Sequence, residues 1–234
     1  MPIFHHSSVM RSPVCASAGL AKTGSFAMPR AFAMICAFAV TCSFAAWSAQ
    51  LDIAVLDADG KPVKDAVVYA LSESGPQLAP KGATAILDQI DKEFVPGVLP
   101  VQTGTLVRFP NQDNIRHNVY SFSLSKTFSL DLYKGEQASP VLFDKAGAVV
   151  LGCNIHDNMV AHILVVDTPY FSRSDGAAPA HLRNLPGGAF EVRVWHPRQT
   201  AEVAAQTVKL GARDTQPLTF RIALKPEPPR RGRK

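Results

Sequence analysis

The sequence predicts an all-β protein. Short runs that alternate apolar and polar residues recur between closely spaced turn signals, and helical periodicity is scarce. Strands of five to seven residues at this spacing argue for one or two β-sandwiches. "LDIAVLDADGKPVKDAVVYAL" reads as a strand, an Asp-Ala-Asp-Gly turn and a second strand, with Asp57 and Asp59 as hairpin-turn residues. "LPVQTGTLVRFPN" alternates around a Gly turn, and "NVYSF" is a further strand. "AGAVVLGC" and "MVAHILVVD" are strands on either side of a tight loop. "AHLRNLPGGAFEVRVWHP" gives two more around Pro-Gly-Gly.

The first 50 residues read as export apparatus. Residues 31–46, "AFAMICAFAVTCSFAA", are apolar and uncharged, follow Arg30, and lead to Ala46-Trp47-Ser48, which fits an A-x-A-like cleavage site with a cut after Ser48 or Ala49. The run is shorter than the roughly 18 to 20 residues of a spanning helix, so a cleaved secretory signal and a periplasmic chain without a membrane span are expected. Met28-Pro29-Arg30 makes a more conventional start than Met1, and Thr41 argues against a lipid anchor at Cys42.

Charge and cysteine content change once that leader is set aside. The chain carries 24 Lys and Arg against 19 Asp and Glu, a net +5, but three of the bases precede residue 50. Five more sit in the tail "KPEPPRRGRK" with a single acid, so the body between is slightly acidic. No distributed basic face would track phosphates, which excludes nucleic acid as the expected partner. Three of the four cysteines lie in the leader, leaving Cys153 alone. A single thiol in an oxidising compartment is a liability unless something occupies it.

"GCNIHDNM" (152–159) supplies an occupant, because it brings a thiol, an imidazole and a thioether to one loop at three-residue intervals. A second imidazole, His117, stands where the polar "FPNQDNIRHN" gives way to a strand, 36 residues before Cys153. Loops leaving one end of a sandwich approach each other whatever their separation in sequence. His117, Cys153, His156 and Met159 then form two imidazoles and a thiolate with a weak axial thioether, the donor set of a blue-copper electron-transfer site. The thiolate carries the electronic coupling, the neutral imidazoles suit both copper oxidation states, and the thioether favours the reduced one. Zinc gains little from a thioether. Asn118 can reach across to hydrogen-bond the ligand loop.

These residues resemble the cupredoxins, in particular the plastocyanin- and amicyanin-like branch. "KEFVPGVLPVQTGTLVRFPNQDNIRHNV" looks like the family's opening pattern, and "CNIHDNM" has the C-x2-H-x2-M spacing of its shortest ligand loop. The likeness covers residues 84–167 and implies a Greek-key β-sandwich holding one type 1 copper ion. Leu151-Gly152 departs from the aromatic residue usual two positions before the Cys. More narrowly, the exported chain is similar to the bacterial proteins called "methylamine utilization protein", a name that is no evidence for a substrate. The flanks, "LDIAVLDADGKPVKDAVVYAL" and "LRNLPGGAFEVRVW", resemble the two halves of a carboxypeptidase regulatory-like (transthyretin-like, Ig-like) sandwich. The expected organisation is therefore a leader (1–49), an outer sandwich (51–75 plus 174–223), an inserted cupredoxin sandwich (84–167) and a basic tail (224–234).

Of the other histidines, His162 reads as a partly buried structural residue, and His181 and His196 as surface or edge residues. No Ser-His-Asp set, paired carboxylates or phosphate-cradling Gly loop appears in the sequence. The expectation is a periplasmic carrier of single electrons, not an enzyme, that docks a transient redox protein partner through the exposed edge of His156 with Ile155 and Val160 as apolar contacts. The alternatives are a copper-handling protein and an envelope-interaction module in which the outer sandwich is the functional part.

Overall fold

The computed structural model describes residues 48–136 and 139–227, and every helix or strand among them is a strand. The expectations for the leader before Ser48 and for the arginines of the tail lie outside those residues. No helix among the described residues is long and apolar enough to cross a membrane.

The described chain opens with β1 (Ala49–Leu56) and β2 (Lys64–Ser72). Next come β3 (Thr84–Ile86), β4 (Asp88–Ile90), β5 (Glu93–Val95), β6 (Val98–Gln102) and β7 (Thr105–Arg108). They are followed by β8 (Tyr120–Ser123), β9 (Lys126–Ser129), β10 (Val141–Phe143), β11 (Gly147–Gly152) and β12 (Val160–Val166). The chain closes with β13 (Phe171–Asp175), β14 (Ala180–Leu185), β15 (Gly188–Trp195), β16 (Gln206–Leu210) and β17 (Thr215–Arg221).

The first two strands and the last five form two sheets, β14-β1-β17 and β13-β2-β15-β16. Alternation in β1 sends Leu51, Ile53 and Val55 into the space between them, where they meet Val68, Phe190, Val192 and Phe220. Ala49, fully buried, is paired with Leu185, so a chain cut after Ser48 keeps this contact and one cut after Ala49 loses it. Strands β3, β7 and β10 form a third sheet, and β6-β12-β11-β8-β9 a fourth. A second core, with Phe109, Phe143, Leu151 and Ile163 among its largest members, includes residues of both. Burial of each such side chain contributes about 1.5–3 kcal/mol.

The run "ILVV" in β12 is apolar on both faces for a reason. Ile163 and Val165 face the second core, while Leu164 and Val166 join Val98, Val67, Phe171 and Trp195 in a third cluster. A strand covered on both sides loses its polar alternation.

Three turns legible in the sequence, of which the Asp57–Asp59 turn reads as a hairpin, carry the chain between sheets. The Asp57 carboxylate accepts the N–H groups of Asp59 and Lys61, which tightens the turn, yet β1 and β2 belong to different sheets. The Gly104 turn (φ +96°) and the Pro186-Gly187 turn do the same for β6–β7 and β14–β15. His196 is also not at the surface as expected: it is buried, and its Nδ1 accepts the N–H of Arg198.

Candidate metal centre

Strands β12, β11 and β8 are neighbours in the five-stranded sheet. Their inward-facing rows run Ala161–Ile163–Val165, Val149–Leu151 and Val119–Ser121. Extending each row by one more inward position toward the same end gives Met159, Cys153 and His117. Period-two geometry alone therefore aims three side chains at the end of the second core. His156 comes from the loop between β11 and β12, whose turn is closed by the Met159 N–H donating to the His156 carbonyl at 3.0 Å.

One donor atom from each of His117, Cys153 and His156 falls within 4.8 Å of the others. Cys153 Sγ lies 3.8 Å from His117 Nδ1, and the two imidazole centroids are 5.0 Å apart. Donors bound to one ion at about 2.0–2.3 Å are separated by up to about 4.5 Å, so the 3.8 Å between Cys153 Sγ and His117 Nδ1 fits a shared metal. His156 Nδ1 is buried and has no hydrogen-bond partner, as expected of a nitrogen whose partner is an ion. Met159, 1% exposed, packs in the same core as Cys153.

The surroundings hold the donors in place. His117 is completely buried, and its Nε2 lies 2.7 Å from Asp113 Oδ2. Asp113 in turn accepts the N–H groups of Asp91 (2.7 Å) and Lys92 (2.9 Å). Burial by itself would push the Asp113 carboxyl up, but the Lys92 N–H, the His117 ring and the Asp91 N–H hold it below its usual value. The Asn111 amide donates to the carbonyls of Ile115 and Tyr133, shaping the loop that carries Asp113. Asn118 Oδ1 accepts the Asn154 N–H at 2.8 Å, joining the His117 segment to the loop after Cys153. Tyr133 exchanges backbone hydrogen bonds with His117 and donates its hydroxyl to the Phe109 carbonyl. Burial pushes its phenol up to about 12. Desolvation, then the charges of His117 and Lys92, lower the pKa of His156 against the opposing carboxylate of Asp113.

The remaining residues singled out in the sequence lie apart from this cluster or at its rim. Ile155 and Val160 are about half exposed, beside the half-buried His156. Asp157 and Asn158 are exposed on the loop. The His162 ring lies tilted 6.2 Å from that of Trp195 on the opposite face of the sheet, and His181 pairs with Asp52 at 2.7 Å. Asp113, Asn111 and Tyr133 escape sequence reasoning, because an Asp in an Asn-rich loop looks like a turn former. Tyr120 escapes it too: its ring lies against Gly152, on the other side of the sheet from the donors.

No family model matches the chain, and no curated protein does. Among solved structures it is similar to a Cu-containing nitrite reductase from Thermus scotoductus SA-01 (21% identity, TM-score 0.34, 49% of this chain and 28% of that one). It is also similar to a reduced tryptophan-to-tyrosine mutant of amicyanin (24%, TM-score 0.32, 42% and 98%). A third is a purple cupredoxin from Nitrosopumilus maritimus (22%, TM-score 0.31, 36% and 98%). The chain thus spans less than a third of the nitrite reductase, and each likeness covers less than half of this chain.

Proposed function

We propose that the protein is a periplasmic carrier of single electrons, not itself an enzyme, built around one type 1 copper ion held by His117, Cys153, His156 and Met159. The observation that carries this reading is the approach of the lone sulfur of Cys153 to His117 Nδ1 at 3.8 Å, with an orphaned buried nitrogen of His156 beside them. Copper held there supplies a one-electron couple, and the mixed imidazole, thiolate and thioether set suits both of its oxidation states.

The chain's own residues do the rest. Cys153 offers a soft sulfur, His117 and His156 offer nitrogen lone pairs, and Met159 brings a weak donor already packed in the core. The Asn118–Asn154 hydrogen bond keeps the two donor segments from moving apart, which limits rearrangement on electron gain or loss. His117 is sealed from solvent, so electrons pass through the accessible edge of His156. Ile155 and Val160 flank that edge and offer an apolar landing for a transient redox protein partner, in a small and weak interface.

We also read residues 84–167 as a cupredoxin sandwich inserted into an outer carboxypeptidase regulatory-like sandwich (51–75 plus 174–223). Support comes from β2 and β13, the strands on either side of the insertion, which pair antiparallel in one sheet with Tyr69 opposite Phe171.

Visible spectroscopy of the Cu(II)-loaded protein tests the central reading. Intense blue absorption with fast, reversible reduction is expected. Tight Cu(I) binding with a pale Cu(II) form would replace electron transfer by copper handling, and failure to bind copper stoichiometrically would sink both.

A further inference from the structure

The proposed donors leave one charged group without a role: Asp113, on a different loop from the Cys-His-Met segment and facing the rear of His117. We propose that Asp113 is a positioning residue that fixes in advance which nitrogen of His117 faces Cys153, and that the β4–β5 turn exists in its present form to hold Asp113 for this task. The consequence for metal binding rests on the copper reading above; the arrangement of the imidazole does not.

The geometry is closed on every side. His117 is completely buried, with Nε2 2.7 Å from Asp113 Oδ2 and Nδ1 3.8 Å from Cys153 Sγ. An ionised carboxylate has only acceptors, so Nε2 must carry the hydrogen, and Nδ1 of the neutral ring turns a lone pair toward the sulfur. Asp113 cannot swing away. Oδ1 takes the Asp91 N–H at 2.7 Å, Oδ2 the Lys92 N–H at 2.9 Å, and its own N–H donates to Asn111 Oδ1 at 3.0 Å.

The two clamping N–H groups come from an unusual place. Asp91 (φ +54°) and Lys92 (φ +62°) are the turn residues between β4 and β5, and neither is glycine. A two-residue hairpin turn with both φ values positive ordinarily selects Asn-Gly or Asp-Gly. Asp91 is an ordinary first residue for such a turn, but Lys92 stands where glycine is usual, and the N–H groups of both end on one carboxylate. A non-glycine residue held at positive φ is fixed by its surroundings, and the Asp113 carboxylate, which accepts the Lys92 N–H, is one of the groups that hold Lys92 there. A carboxylate behind an imidazole donor fixes its tautomer and ring orientation, and loss of such a partner typically weakens metal binding about 10–100-fold.

The test uses the full metal-free chain at pH 8, with the tautomer of His117 read from its ring 15N resonances. The Nε2–H form is expected in the unmodified protein; an Nδ1–H form there overturns the proposal whatever any variant does. Asp113→Asn places an amide N–H against at least one present donor, so the His117 tautomer should change or become mixed. In parallel, Co(II) and Cu(II) titrations should show binding about 10–100-fold weaker for Asp113→Asn. Asp113→Glu, which keeps the charge, should recover part of the loss. An unchanged tautomer and affinity in a folded Asp113→Asn variant overturns the proposal. If the unmodified protein binds neither metal, the copper reading falls, and the tautomer alone decides the fate of this one.

Discussion

The ring of Tyr120 occupies the place a side chain at position 152 would take: a β-carbon added to Gly152 would stand 2.7 Å from both Cζ and Oη of Tyr120. The two residues are register partners on β8 and β11. Gly152→Ala must therefore move the ring, and because the atoms met are the far end of a half-exposed side chain the cost in urea unfolding should stay at or below about 1 kcal/mol. In a double-mutant cycle with Tyr120→Ala the two changes should be non-additive by more than about 0.5 kcal/mol. Simple additivity would show that the ring is not what excludes a side chain there.

Met159 separates packing from metal binding. Leucine has a similar volume, so Met159→Leu should cost less than about 1.5 kcal/mol, whereas Met159→Ala should cost about 2–5 kcal/mol. Both remove the thioether. If Met159 is a donor, Met159→Leu changes the spectrum of the copper-loaded protein while the unfolding midpoint of the metal-free form barely moves. An unaltered spectrum would demote Met159 to core packing.

Asn118→Ala removes the acceptor of the Asn154 N–H, a bond worth about 0.5–1.5 kcal/mol. Its clearer signature is local: amide hydrogen exchange at Asn154 should accelerate, while that of Leu151, inside β11, stays slow.

Two histidines remote from the donors should make the metal-free protein acid-sensitive. Desolvation lowers the pKa of His162. It does the same to His196, with the Arg198 charge adding to it and the Lys64 carbonyl and Asp65 opposing it. Below the ordinary value of about 6.5 the unfolded chain then binds protons that the folded chain refuses. Stability is thus complete above that pH and falls as pH drops through it. Urea midpoints at pH 7.5 and 5.5 measure the slope, and His196→Gln should reduce it. A midpoint independent of pH would mean that both rings are solvated.

The positions of the strands were legible in the sequence because alternation is a local property. Their partners were not. Asp57, Gly104 and Pro186 each reverse the chain, but turn chemistry does not say whether the next strand joins the same sheet or the facing one. For the centre, the three-residue spacing of Cys153 and His156 makes their proximity readable from the loop alone. The role of Asp113 could not be read, because it depends on a turn 21 and 22 residues upstream brought alongside by the sheet. His196 misleads for another reason: a histidine before Pro197 looks like a strand end, and only the packed fold shows that this end is covered.

The outer face of the five-stranded sheet carries a further expectation. Phe122 and Leu124 are 79% and 95% exposed near the tip of the β8–β9 hairpin. Replacing both by serine should change stability by less than about 0.5 kcal/mol each. A larger loss would mean that another molecule or segment covers them.

Strand β1 runs parallel to β17, with Gln50 through Leu56 matched in step to Thr215 through Arg221. Opposed tension applied at the two extremities of the described chain would load this ladder in shear, straining its rungs together instead of peeling them one by one. The stretch from Ser72 to Phe171 hangs from neighbouring strands β2 and β13, outside that line of force. An anchor fastened at either extremity could be tugged without disturbing the grip of the loop around Cys153.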